Sequence, residues 1–257
     1  MVRGTSRLGN PRSSEGVDAV DRRREEAVDA SDAMAYRLAI FDFDGTLANS
    51  IPWFAGVVNQ LADQYGFERV REEDHETLRG YEPRRLLDAL GVPVWKIPMM
   101  VYHLRSMMAR DIDQIALFDG IDGLLQSLSQ AGVVVAVVSS NSYDNVRRTL
   151  GPENVALIET FSCGVSIFGK AAKLRGVLAR CRIPRSEAIY IGDEVRDMEA
   201  ARAARVAAGA VAWGYNTLEV LRTCGPNEVF TTVHEIVESL LSEGEPLGPD
   251  RLRSAGT

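Results

Sequence analysis

The sequence predicts a doubly wound, Rossmann-like parallel α/β sheet with a small α-helical cap domain inserted into it. Three observations carry that expectation. Short apolar runs of strand length alternate with stretches of helical period, as crossover connections require. The rhythm breaks once, between Asn49 and about Leu117, where only helical patterning occurs. The chain has 257 residues, 46% hydrophobic and 25% charged, enough for one large α/β domain or a core with a smaller inserted unit.

Residues 1–35 carry Gly, Ser, Pro and mixed charges with few large apolar side chains, so a disordered extension is expected there. Leu38 to Phe43 is the first strand. In the interval that follows, Trp53, Phe54, Val57, Val58, Leu61 and Tyr65 form one apolar helix face, and Met100, Leu104, Met107 and Met108 suggest another. The Met stripe reads as core packing. Residues 49–114 are therefore expected to be the cap. Val133 to Ser139, Ala188 to Ile191 and Ala207 to Trp213 are further strands, with turn signals at Ala131-Gly132 and Leu150-Gly151. The core is thus assigned to 36–48 and 115–242, and the Gly-, Pro- and Ser-rich 243–257 to a second disordered tail.

A net charge of −7 argues against a nucleic-acid partner, because a phosphate backbone needs a basic footprint. Small anions stay open as ligands, since a local field need not share the sign of the surface. Cys163, Cys181 and Cys224 form neither a CxxC pair nor an even framework, which points to a reducing compartment and away from zinc. The longest apolar stretch, around Val133 to Val138, is far short of a membrane span, and no basic flank with an apolar core opens the chain. A cytoplasmic protein with no membrane partner is expected. His75, His103 and His234 lack metal-ligand spacing and read as surface or packing residues.

The chemistry lies in the carboxylates. In Phe41-Asp42-Phe43-Asp44-Gly45-Thr46, period 2 sends Asp42 and Asp44 one way and the two Phe the other, at the strand edge where open α/β sheets bind ligands. Alone this is also ordinary turn chemistry. A second acid pair, Asp193 and Asp197, follows the strand Ala188 to Ile191, where one acid could equally be a helix N-cap. Two converging like-charged pairs repel strongly, and a hard divalent cation such as Mg²⁺ removes the problem. Ser139, Ser140 and Asn141 close another strand just before a helical segment, where a hydroxyl and free N–H groups suit a phosphate oxygen. The chain holds 26 Arg but 3 Lys, so Lys170 after a Gly turn stands out as a compact point charge, with Lys173 as the fallback.

In the order DxDGT, Ser, Lys, GDxxxD, these residues resemble the haloacid dehalogenase superfamily over roughly residues 36–240, and most closely its phosphoglycolate phosphatase-like branch with a helical cap after the first motif. Phe118-Asp119-Gly120, Gly192-Asp193-Glu194 and Trp213-Gly214-Tyr215-Asn216 are similar to that branch too. Asn49 departs from it, since relatives usually carry Asp there. The resemblance implies a Mg²⁺-dependent phosphatase acting on a small-molecule phosphomonoester. Asp42 would be the nucleophile and Asp44 the general acid, then base. Asp42, the Asp44 carbonyl oxygen and Asp193 would hold Mg²⁺. Ser139 and Lys170 would bind phosphoryl oxygens, and Asp197 would orient Lys170 or a metal-bound water. Substrate choice falls to the cap, where Arg79 in Leu78-Arg79-Gly80-Tyr81 could meet an anionic leaving group. A phosphomutase shares the core, and a non-catalytic phospho-acceptor or binding protein is the reading from another class. A dehalogenase lacks the second Asp, so Asp44 argues against it.

Overall fold

The computed structural model describes residues 36–81, 83–164 and 169–242; the expected N-terminal extension and C-terminal tail lie outside these residues. Six strands form one sheet: β1 (Leu38–Phe41), β2 (Val134–Val138), β3 (Thr160–Ser162), β4 (Ala188–Gly192), β5 (Ala207–Val211) and β6 (Glu228–Phe230). Their order is β3-β2-β1-β4-β5-β6 and every pairing is parallel. β1 is central, with Leu38 opposite both Val134 and Ala188. β3 and β6 were not among the expected strands. Each has three residues at a sheet edge, Thr-Phe-Ser and Glu-Val-Phe, too short and too polar to show a period.

Period 2 divides the strands between two apolar layers. Ala39, Phe41, Val135, Val137, Ile189 and Ile191 face one layer, and Leu38, Ile40, Ala136, Val138, Ala188 and Tyr190 face the other. Both faces are buried, so the central strands read as unbroken apolar runs.

Four α-helices lie between β1 and β2 before the core resumes: α1 (Ile51–Tyr65), α2 (His75–Arg79), α3 (Pro83–Ala89) and α4 (Ile97–Asp111). The expected face of α1 is buried at Trp53, Val57, Val58, Leu61 and Tyr65, and Gly66 ends the helix at φ 70 with its N–H on the Ala62 carbonyl. Met107 and Met108 of α4 are buried, while Met100 and Leu104 pack partly buried against the same layer. The insert thus extends the sheet's own core. Its two ends run side by side: Asn49 N–H donates to the Ala116 carbonyl at 2.8 Å, and Phe118 N–H to the Leu47 carbonyl at 2.9 Å.

The remaining helices are α5 (Ile121–Gln130), α6 (Tyr143–Ala156), α7 (Lys170–Cys181), α8 (Val195–Ala204), α9 (Leu218–Thr223) and α10 (Val233–Leu241). The expected turn at Leu150-Gly151 is a break inside α6, where Gly151 has φ 74 and Pro152 follows. α7 and α8 pack against the layer of Leu38, Ile40 and Tyr190, which brings the start of each to the carboxyl ends of β1 and β4. No described helix is long and apolar enough to cross a membrane.

Candidate active site

Asp42 leaves β1 at its carboxyl end, with its N–H on the Ile191 carbonyl at 2.9 Å. Its position continues the parity of Leu38 and Ile40, toward α7. There Lys170, the first residue of α7, places Nζ 2.6 Å from Asp42 Oδ2 and also on Asp197 Oδ1. Lys170 is 3% exposed, whereas Lys173 lies on the exposed side of α7, so burial separates the two candidates.

Asp197 has two duties. It is the third residue of α8, and its Oδ2 accepts the Glu194 N–H at 3.0 Å while the Glu194 side chain accepts back, a capping box that fixes the helix start. Its Oδ1 takes Lys170 and the Tyr190 hydroxyl, which donates at 3.0 Å. The N-cap is therefore Glu194. Asp193, fully buried, accepts from the Thr46 hydroxyl and from Tyr215 N–H, each at 2.7 Å. Gly45, at φ 77, and Gly214 close around it: a Cβ on Gly45 would lie 2.2 Å from Asp193 Oδ2, and one on Gly214 would lie 2.0 Å from Asp193 Cβ.

Asp44 is held by Asn141, whose Nδ2 donates to Oδ1 at 3.3 Å and to Oδ2 at 3.1 Å, and by the Ser50 side chain. Asn141, expected among the substrate-binding residues, has a carboxamide that also touches Met108 Sδ at 3.0 Å and accepts from Asn145 Nδ2 at 2.9 Å, contacts that hold it against Asp44. Ser139, buried at the end of β2, accepts the Asn141 N–H at 2.9 Å and retains its own hydroxyl proton. Ser140 lies half-buried beside it. The cap of α6 comes at Ser142, which accepts from Asn145 N–H at 3.2 Å. Arg79 is not free in the site. Nη1 pairs with Glu76 at 2.9 Å and Nη2 donates to the Gly214 carbonyl at 2.8 Å.

The charges respond to this enclosure. Burial pushes Asp42 up to about 7 against the pull of Lys170, and pushes Asp44 up to about 6 against its hydrogen bonds from Asn141 and Ser50. Burial, with Glu194, Asp197 and Asp42 nearby, raises Asp193 well above the carboxylate range. For Asp197 burial acts upward, but Lys170 and Arg196 outweigh it and hold the carboxyl low. Burial likewise presses Lys170 down, and Asp197 and Asp42 more than reverse this, so the ammonium stays charged.

Carboxylate oxygens of Asp42, Glu194 and Asp197 lie within 4.8 Å of one another. Asp193, expected in the metal set, is outside that side-chain trio and Glu194 enters it, while Asp44 was expected through its backbone carbonyl oxygen, which is not a carboxylate donor. An all-oxygen donor group with two buried acids and a half-buried third, whose Asp42 is costly to ionise, suits a hard divalent cation. Glu194 escaped the sequence reading because it neighbours Asp193, and nothing in the pattern says which of two adjacent acids turns toward Asp42 and Asp197.

The profile of haloacid dehalogenase-like hydrolases matches residues 39–211. The chain belongs to this family. A phosphoglycolate phosphatase from Synechococcus elongatus is 29% identical over 202 residues, covering 78% of this chain and 95% of that protein. The tyrosine-protein kinase PtkA of Mycobacterium tuberculosis is 28% identical over 211 residues, covering 79% and 72%. Among solved structures, a haloacid dehalogenase-like hydrolase from Streptococcus pneumoniae superposes with a TM-score of 0.66 at 21% identity, over 79% of this chain and 98% of its own. The protein is accordingly a phosphatase-type hydrolase of the phosphoglycolate phosphatase-like kind.

Proposed function

We propose that the enzyme is a Mg²⁺-dependent, cytoplasmic phosphatase that hydrolyses a small phosphomonoester of the phosphoglycolate type through an aspartyl-phosphate on Asp42. One observation carries this reading: the buried Lys170–Asp42 pair at 2.6 Å, at the same strand end as Asp44, groups a nucleophile, a fixed cation and a proton carrier. The cytoplasmic assignment leans on the three free cysteines.

In the first half-reaction a carboxylate oxygen of Asp42 attacks phosphorus, the ester P–O bond breaks, and protonated Asp44 gives its proton to the departing alkoxide. In the second, ionised Asp44 takes a proton from water, the resulting hydroxide attacks phosphorus, and the bond to Asp42 breaks to release phosphate. Lys170 and the Ser139 hydroxyl hold the phosphoryl oxygens, and Ser140 lines the same edge. Asn141 and Ser50 aim Asp44. Asp42, with Glu194, Asp197, Asp193 and the Asp44 carbonyl as the remaining oxygen donors, would hold Mg²⁺, which when bound offsets the charge of a phosphate dianion approaching carboxylates. Residues 49–114 serve as the cap that selects the leaving group. In the docked cap Arg79 serves the Gly214 carbonyl, so recognition of a substrate carboxylate by Arg79 would require it to leave that partner.

The test is phosphate release from a panel of small phosphomonoesters, phosphoglycolate included, with Mg²⁺ present. Turnover that vanishes in Asp42→Asn and in EDTA supports the reading. Transfer of the phosphoryl group to a second sugar hydroxyl without release would make the enzyme a mutase instead.

A further inference from the structure

We propose that Asn216 is a positioning residue that couples docking of the insert's Arg79–Tyr81 strap to the loop bearing Asp193 and Glu194. Its carboxamide is buried and fully used. Nδ2 donates to the Arg79 carbonyl at 3.0 Å and to the Tyr81 carbonyl at 3.1 Å, both on the insert. Oδ1 accepts the Val195 N–H at 3.0 Å, one of the free donors at the start of α8. One planar group therefore spans from the strap to the residue after Glu194.

The neighbouring backbone strengthens the link. Thr217 N–H donates to the Arg79 carbonyl at 3.1 Å and Asn216 N–H to the Asp193 carbonyl at 3.2 Å. When the strap lifts, both Nδ2 protons lose their acceptors together, and a buried amide left unpaired is unfavourable. The carboxamide is satisfied in the docked arrangement only. The orientation it imposes on Val195 is thus tied to the strap, and Val195 sits beside the acids of the site.

N216D separates the two sides of the carboxamide. It keeps an acceptor facing Val195, a stronger one at a helix N-terminus, and puts an oxygen against the two strap carbonyls. Hydrogen exchange by mass spectrometry on the full chain should show the Thr217 amide exchanging at least tenfold faster. The Val195 amide should also speed up, although the direct effect of a better acceptor is to slow it. R79A, which removes the Gly214 contact and leaves the carboxamide intact, should speed Val195 as well and serves if N216D does not fold. With p-nitrophenyl phosphate and Mg²⁺, kcat of N216D should fall about tenfold with KM within twofold; this arm rests on the phosphatase reading, and the exchange arms do not. Unchanged or slowed exchange at Val195 in a variant whose Thr217 exchange has risen overturns the coupling, as does unchanged exchange at both amides. An unchanged kcat with faster exchange overturns its part in turnover. A parent chain that hydrolyses no phosphomonoester defeats the phosphatase reading and leaves the exchange result to decide this one.

Discussion

Lys170 stands between two buried carboxylates, and removing it strips both of their paired ammonium and leaves Arg196 as the cation still acting on them. Lys170→Met should therefore lower stability by about 3–5 kcal/mol in EDTA at neutral pH, measured by urea denaturation, and added Mg²⁺ should recover part of the loss. Lys170→Arg should not restore turnover, because a planar fork does not replace a point charge between two acids. Asp44 provides the pH signature. Its carboxyl is pushed up to about 6 by burial, so between roughly pH 4 and that value the folded state binds more protons than the unfolded one. Stability therefore falls as pH rises through this window, and the full penalty applies above it. In EDTA, Asp44→Asn should be more stable than the parent at pH 8 by on the order of 2 kcal/mol, and the difference should close by about pH 4. Equal urea midpoints at both pH values would show a well-hydrated carboxyl. At this scale the sequence already marked Asp42, Asp44 and Lys170 by spacing and by the scarcity of Lys. It could not reveal that Asn141 turns toward Asp44 or that Arg79 turns toward Gly214, since side-chain direction in loops depends on what the fold brings alongside.

The ends of the strands and the loops after them decide how tightly the acids are held. The loop after β5 passes Asp193 so closely that Gly214 has no room for a methyl group. Gly214→Ala should cost about 1–3 kcal/mol and most of the turnover, read as Tm and kcat on the same preparation. Gly176 in α7 is the control, because a Cβ there meets nothing within 4 Å. Gly176→Ala should raise stability by about 0.5–1 kcal/mol and leave turnover alone. The four central strands were legible because both of their faces are buried and their apolar runs are continuous. β3 and β6 were hidden by their edge position: three residues with one neighbour need no strong pattern, and tertiary pairing alone defines them.

Across the whole molecule, the site lies where strand order reverses around β1, with β2 on one side and β4 on the other, so residues far apart in the chain meet at one crevice. A cation bound there acts on every element that ends there. Mg²⁺ at a hundred times its Kd should add about 2.7 kcal/mol to global stability, seen as a rise in Tm that EDTA reverses. A protein whose melting is indifferent to Mg²⁺ would argue against a bound cation at these acids. The insert itself hangs from two adjacent segments joined by the Asn49–Ala116 and Leu47–Phe118 hydrogen bonds. A chain that departs and returns at one spot can vary greatly in length there, because doubling a closed loop costs only about 0.6 kcal/mol. That junction is in effect a socket: the piece plugged into it can be exchanged or resized while the strand ends beneath keep their arrangement.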